Sequence, residues 1–226
     1  WVSATESIKG KMTKEQQEKY QLNIALGNDF DTLLNSLAIG MTKKEAMANM
    51  KVLNPEQAGK AYDTIQQNIT EVLTADRSVI IPQVVVYDDA TGMAGTIDLL
   101  LVKPDGTLKI VDLKTSKNGL KEYQSIIGKK LQYDKEWDLK DDSLLRQKGV
   151  ADRLSTRQQH NLQVNIYRRM LENMGYTMSV EENATSTMHI KIDIKGKGSN
   201  QEFLGTFEYD AWETHPPGQN QPYVDA

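Results

Sequence analysis

Gly95-Thr-Ile-Asp-Leu-Leu-Leu-Val-Lys-Pro-Asp-Gly-Thr-Leu-Lys-Ile-Val-Asp-Leu-Lys114 is the stretch on which the reading of the fold turns. Residues 99–102 form an apolar run, 103–107 have the composition of a turn, and 108–111 resume a strand pattern. This order predicts a β-hairpin with Asp98 on one strand and Asp112 at the end of the next. Such a hairpin brings two hard oxygen donors together and leaves the Lys114 amine beside them.

Upstream, residues 79–87 are rich in β-branched side chains and 88–92 read as a turn. With strands over Met93–Val102 and 107–113, this predicts an antiparallel meander of three strands. The first 75 residues read as helical. Apolar residues recur at helical spacing from Tyr20 to Leu37, with Thr13 as a candidate cap and Gly27 as an interruption that divides the segment into two helices. Thr42 caps a short helix reaching Met50, and Pro55 opens another that runs to about Leu73. Residues 115–154 are polar and lysine-rich, and are expected to form a partly helical excursion. Ser155 is placed to cap a helix ending at Gly175, and strands are expected over 176–180, 187–194 and 202–209. The whole predicts an α/β (α+β) fold, a mixed sheet flanked by helices, with a helical region at 1–75, a core at 76–210 and an irregular acidic tail at 211–226.

Composition narrows the chemistry. The chain of 226 residues has no cysteine, so disulfides, thiolate nucleophiles and zinc–thiolate sites are excluded. His160, His189 and His215 are scattered along it, and no pair has the spacing of a zinc-binding helix. No apolar run approaches the roughly 20 residues of a membrane span. Trp1 rather than Met stands first, so a processed product or a segment of a longer chain is expected. Net charge is −4, yet residues 101–135 carry eight lysines against four acids, and the part from Asn200 onward carries five acids and no Lys or Arg. A basic segment that begins at the carboxylate hairpin either faces a polyanion or is a solvated surface.

Asp98 and Asp112 interrupt apolar strands, where an unpaired carboxylate is costly to bury. A divalent cation relieves that cost. Mg²⁺ needs few protein oxygens, so two carboxylates and the Leu113 carbonyl suffice. Lys114 would then orient or deprotonate a water, or stabilise charge on a phosphorane. The alternative is a pair of strand-end aspartates capping turns, with Lys114 in a surface ion pair. Further on, Gln163 and Tyr167 are four residues apart and share one helix face. They would hold a phosphate backbone or a base beside the metal, or else form a surface Gln next to a core Tyr.

Taken in order, Gly95-Thr-Ile-Asp98, Asp112-Leu-Lys114 and Gln163-Val-Asn-Ile-Tyr167 resemble the PD-(D/E)xK nuclease superfamily, in its RecB-like branch. The resemblance covers about residues 79–193. It implies a restriction-endonuclease-like mixed sheet and a Mg²⁺- or Mn²⁺-dependent deoxyribonuclease, exonuclease-like, serving DNA replication, recombination or repair in a phage or bacterium. On that pattern Asp98 and Asp112 bind metal together with the Leu113 carbonyl, Lys114 is catalytic, and Gln163, Tyr167, Thr115 and Lys117 contact DNA or support the site.

The chain departs from the family pattern upstream. The family has a His or Glu on an earlier helix as a further ligand, whereas Gly27-Asn-Asp-Phe-Asp31 contains neither, and Asp31 is the best substitute. Pro82-Gln83 stands where an acid often occurs. The excursion at 115–154 is long, and would grip DNA or a partner protein of recombination or replication. The expected setting is the cytoplasm of a bacterial or phage-infected cell. The competing expectation is a catalytically weak nuclease-fold protein that acts as a DNA-binding or structural module.

Overall fold

A computed structural model of the chain describes residues 2–3, 14–117, 137–138, 153–154, 156–196 and 200–215. In order, the elements are β1 (Val2–Ser3), α1 (Lys14–Ala38), α2 (Lys43–Ala46), α3 (Pro55–Asp76), β2 (Val79–Asp88), β3 (Met93–Val102), β4 (Leu108–Ser116), β5 (Trp137–Asp138), β6 (Arg153–Leu154), α4 (Thr156–Asn173), β7 (Thr185–Lys195) and β8 (Glu202–Thr214). Two of the helix starts are set by local chemistry. Thr42 and Glu45 form a capping box ahead of α2, and Asn54 and Gln57 form another ahead of α3, with Pro55 at the first helical position.

The fold is α/β, built on a mixed sheet of six strands. Strands β2, β3 and β4 form the expected antiparallel meander, with Leu100 opposite Ile110 at its centre. The turn between β3 and β4 closes through Gly106, at φ 81°, and through the Asp105 carboxylate, which accepts the Thr107 N–H at 2.9 Å. Strand β4 then pairs in parallel with β7, and β7 in antiparallel with β8. A parallel partner requires a crossover. Helix α4 lies between β4 and β7 in the chain and packs on the sheet, so β4, α4 and β7 form such a unit.

Two apolar cores lie on the two faces of the sheet. Leu26, Phe30, Leu33, Leu34, Ala58 and Ile65 of α1 and α3 meet Leu99, Leu101, Val111, Leu113, Met188 and Ile190 on one face. Leu162, Ile166, Tyr167 and Met170 of α4 meet Met93, Ile97, Leu100, Leu108 and Ile110 on the other. Among the described residues no helix is long and apolar enough to cross a membrane.

Several expectations are corrected. Helix α1 runs unbroken through Gly27, which faces β4: an added Cβ would make a tight contact, 3.3 Å from Thr115 Oγ1. The N-terminal region is not wholly helical, since Val2–Ser3 pairs with Met93 and Ala94. Residues 176–180 form no strand. Met178 makes one isolated bridge to Leu108, and the chain turns into a short 3₁₀ helix at Glu182–Ala184. Strand β8 continues to Thr214, beyond the expected core boundary at 210, because Trp212, Glu213 and Thr214 pair with β7. Thr13, Ser155 and nearly all of the excursion lie outside the described residues, apart from Trp137–Asp138 pairing with Arg153–Leu154.

Asp29 ties α1 to the loop before α3. Its buried carboxylate accepts the backbone N–H groups of Lys51, Val52 and Leu53 at 2.8–3.1 Å. Asp29→Ala leaves three backbone donors without this acceptor, the Leu53 N–H in a buried position and the other two part-buried. It is expected to cost about 3 kcal/mol in urea denaturation at unchanged slope; a loss below about 1 kcal/mol would show that the loop finds other partners.

Candidate active site

Side chains of a strand alternate between faces, and β4 obeys that rule. Leu108 and Ile110 enter the α4 core, while Val111 and Leu113 enter the opposite one. Asp112 and Lys114 therefore stand on the α4 face. Strand β3 breaks the rule. Met93 and Ile97 face α4, and Gly95 lies under the Tyr167 ring, so its odd positions face α4 as far as Ile97. Beyond it, Leu99 and Leu101 face α1 and α3, and Leu100 faces α4. The inversion falls on Asp98.

At that point the β3–β4 ladder also ends. Its last pair is Leu99 with Val111, and the next backbone donor on β4, the Leu113 N–H, goes to Asp98 Oδ2 at 2.7 Å. The Asp98 side chain thus lies along the sheet rather than on either face. The N–H and C=O of one strand residue point to the same edge, so the Leu113 carbonyl is directed to the Asp98 side as well. Asp112 is not at a strand end as expected. It lies mid-strand, with Thr187 of β7 beside it in register, because pairing with β7 carries β4 on to Ser116.

Asp112 is only 2% exposed. Its Oδ2 contacts Lys114 Nζ but has no hydrogen bond of good geometry. Lys114 Nζ also donates to Gln163 Oε1 at 3.2 Å, and Gln163 Nε2 donates to Tyr167 OH at 2.9 Å. The predicted helix face is therefore real, and the structure binds it to the predicted lysine. Tyr167 fits because residue 95 is glycine: a Cβ there would lie 2.3 Å from Tyr167 Cε1.

Asp31 completes the group. Asp29 and Asp31 are two apart on a helix, which places them on opposite sides. Asp29 faces the loop at 51–53, and Asp31 faces the site from the α1 side. Burial raises its carboxyl to about 6, with Asp112 adding to the rise and Lys114 opposing it. Burial, followed by Asp112 and Asp31, raises Asp98 to about 8 against Lys114 and the Leu113 N–H. Burial alone would lower Lys114, but Asp112 and Asp98 outweigh it and hold the ammonium above its ordinary range. Burial, aided by Asp112, pushes the Tyr167 hydroxyl up to about 12.

Thr115 is set apart from this group: it faces Gly27 of α1, on the other side of β4 from Asp112 and Lys114. Lys117 follows β4 and is exposed. Among the described residues no group of three or more His, Cys, Asp or Glu side chains stands ready to hold a metal ion. Mg²⁺ asks for less, since it is commonly bound by one or two carboxylates and keeps several waters. Asp98 and Asp112, with the Leu113 carbonyl, fit that requirement. The buried Asp112 Oδ2, held only by its contact with Lys114, and the two carboxyls, Asp98 and Asp31, whose rise through burial is increased by the Asp112 charge, are what a cation would relieve.

The histidines are scattered in sequence but gathered in space. The Thr187 hydroxyl stands 2.9 Å from both His189 Nε2 and His215 Nε2. Glu213 Oε2 is 3.4 Å from His189 Nε2, and Asn161 of α4 meets His215 Nδ1 at 3.3 Å. All five are buried on the α4 face, and His189 is paired in register with Lys114. The alternation Thr187, His189 was the only signal in the sequence; the contribution of Glu213 and His215 required knowing that β8 runs past 210.

No protein-family model matches the chain, and no curated protein matches it in sequence.

Two outcomes test this geometry. Gly95→Ala should displace the Tyr167 ring and destabilise the fold by about 2 kcal/mol, yet be nearly neutral in a Tyr167→Ala background. Equal costs in both backgrounds would show that the two residues do not touch. The second concerns pH in metal-free protein. Below about pH 4 Asp98 is protonated whether folded or not, and its contribution is fully present. As pH rises the unfolded chain ionises first, so stability falls until pH passes about 8. Asp98→Asn should flatten that decline in thermal denaturation, and an unchanged slope would place the titration elsewhere.

Proposed function

We propose that the chain is a Mg²⁺- or Mn²⁺-dependent deoxyribonuclease, exonuclease-like, acting in DNA replication, recombination or repair in the cytoplasm of a bacterial or phage-infected cell. The observation that supports it is the meeting of three motifs remote in sequence. Asp98, Asp112 with Lys114, and Gln163 with Tyr167 come from two strands and a helix and form one continuous set of contacts. Turn-capping aspartates and a surface ion pair would have no reason to share such a set.

Asp98 and Asp112 would hold the cation, with the Leu113 carbonyl as a further donor, and Asp31 would add its charge from the α1 side rather than a third carboxylate ligand. When bound, the cation supplies charge that polarises the scissile phosphate and acidifies a water. Lys114 is a fixed cationic donor, and its place beside the two carboxylates suits it to stabilise negative charge building on the phosphorane oxygens. Held as an ammonium by Asp112 and Asp98, it acts by charge rather than as a base. Gln163 fixes the Lys114 amine by accepting from it, and its own amide is oriented by Tyr167. Tyr167 keeps its proton at neutral pH and so can donate only as a neutral hydroxyl. The chain has no cysteine, and water is the proposed nucleophile in an in-line displacement without a covalent intermediate. The exposed Lys117 would meet the DNA backbone, and a partner protein of recombination or replication would join at the excursion.

The test is degradation of linear, circular and single-stranded DNA with Mg²⁺, Mn²⁺ or EDTA. Wild type should degrade DNA only with a divalent cation, and Asp112→Asn and Lys114→Ala should each lose about a hundredfold or more. Variants as active as wild type would reject the assignment, and a wild type inactive under every condition would favour a binding module.

A further inference from the structure

We propose that Gln83 is a positioning residue for Asp98, and that its left-handed backbone turns β2 over in step with β3 so that the Asp98 carboxylate stays in the plane of the sheet. The inference rests on the reading of Asp98 as a cation ligand, and it concerns what holds that ligand in place.

The first observation is conformational. Gln83 has φ 53° inside a strand. Among the described residues the one other non-glycine with positive φ is Arg77, which caps the end of α3, where such a conformation is common. A left-handed residue within a strand has no such local reason, and glutamine gains nothing intrinsic from it. Conformations of this kind persist only where the surroundings impose them.

The second observation is register. Strand β2 pairs with β3 from Val79 opposite Val102 to Asp88 opposite Met93, and the pairing skips one position, Gln83 opposite Asp98. The residues on either side, Pro82 with Leu99 and Val84 with Ile97, are paired without a shift. Pro82 has no N–H to give to a ladder, so the interruption begins where the backbone already lacks a donor.

The third observation is facing. Ile80 packs with the α1–α3 core, whereas Val84 and Val86 pack with the α4 core. Even positions of β2 therefore change face across Gln83, as the odd positions of β3 do across Asp98. Two paired strands invert at the same rung. Were β2 to keep regular alternation, the partners on β3 could not change face without breaking the pairing on both sides of Asp98. Gln83 is the residue whose backbone makes the joint inversion possible. Its side chain adds a second tie: Nε2 donates to Asn35 Oδ1 at 3.3 Å. Asn35 is one turn beyond Asp31 on α1 and shares its side of the helix. The rung that carries Asp98 is thereby joined to the helix that carries Asp31.

The experiment separates backbone from side chain. Gln83→Gly and Gln83→Asn accept a left-handed conformation, Gln83→Ala resists it, and Gln83→Val resists it most. Two readouts are taken: exchange of the Leu113 amide hydrogen, whose acceptor is Asp98, and Mn²⁺ affinity by titration calorimetry. Gln83→Val should speed Leu113 exchange and weaken Mn²⁺ binding by about tenfold or more, the scale of one charge-assisted hydrogen bond. Gln83→Gly and Gln83→Asn should stay near wild type, and Gln83→Ala should fall between them and the valine variant. The Ile190 amide on β7 should be unaffected, which separates a local effect from general unfolding. If Gln83→Val does not fold, Gln83→Ala against Gln83→Gly decides. The proposal is overturned if the valine and alanine variants keep Leu113 protection, or if glycine loses it as they do. Wild type that fails to bind Mn²⁺ would count against the metal centre, and Leu113 exchange alone would then judge Gln83.

Discussion

Asp98 accepts the Leu113 N–H at the point where a ladder hydrogen bond between β3 and β4 would otherwise stand. A side chain can take that place only if it leaves both faces of the sheet and lies along it. That is why the alternation of β3 inverts there and why the ladder stops at Leu99 and Val111. The geometry has a cost, since a carboxylate then sits between two apolar layers. It also has a use, because a group in the plane can be reached from both sides. Asp112 and Lys114 approach from the α4 layer and Asp31 from the α1 layer. A residue confined to one face would not lie between the two sets of charges.

The electrostatics follow from the same crowding. Burial first, and then the neighbouring carboxylate charge, make Asp98 and Asp31 hold their protons more tightly than usual, Asp98 up to about pH 8. A divalent cation would take over this neutralisation, releasing protons as it bound. Lys114 stands against Asp112 as the resident positive charge. A cation at Asp98 and Asp112 would compete with it for Asp112, leaving Gln163 to hold the amine. The Gln163–Tyr167 pair thus matters most once the lysine shares its carboxylate.

Much of this was legible before any coordinates. The hairpin, the meander, the cap at Thr42, the helix start at Pro55 and the shared face of Gln163 and Tyr167 all depend on local composition and period, which a sequence displays directly. What stayed hidden depends on contacts between distant segments. Gly27 looked like a break because glycine is a poor helix former, yet the packing of α1 on Thr115 overrides propensity. Asp29 and Asp31 look alike in sequence; which of them faces the site depends on the phase of α1 against the sheet. The strand expected at 176–180 has apolar character but finds a single bridge, because β4 beyond Leu108 is paired with β3 and β7.

The buried histidines show how far the polar layer under α4 extends. Across the sheet from Asp98, one face carries Asp112 and Lys114, then Thr187 and His189, then Glu213, all in register. Helix α4 covers this row, and it is held at two places. Gln163 contacts Lys114 near the middle of the helix, and Asn161, half a turn earlier, contacts His215. An apolar interface would fix the depth of the helix but tolerate rotation about its axis. Hydrogen bonds at Asn161 and Gln163 are directional, and two of them fix the rotation as well. Buried polar groups are costly when unmatched, so a helix turned away from this phase would break the Asn161–His215 and Gln163–Lys114 hydrogen bonds at once. The same phase places Tyr167 over Gly95, where no side chain other than hydrogen fits. The position of the helix over the site is therefore specified by its polar contacts and by a glycine in the sheet, while its apolar residues supply the stability.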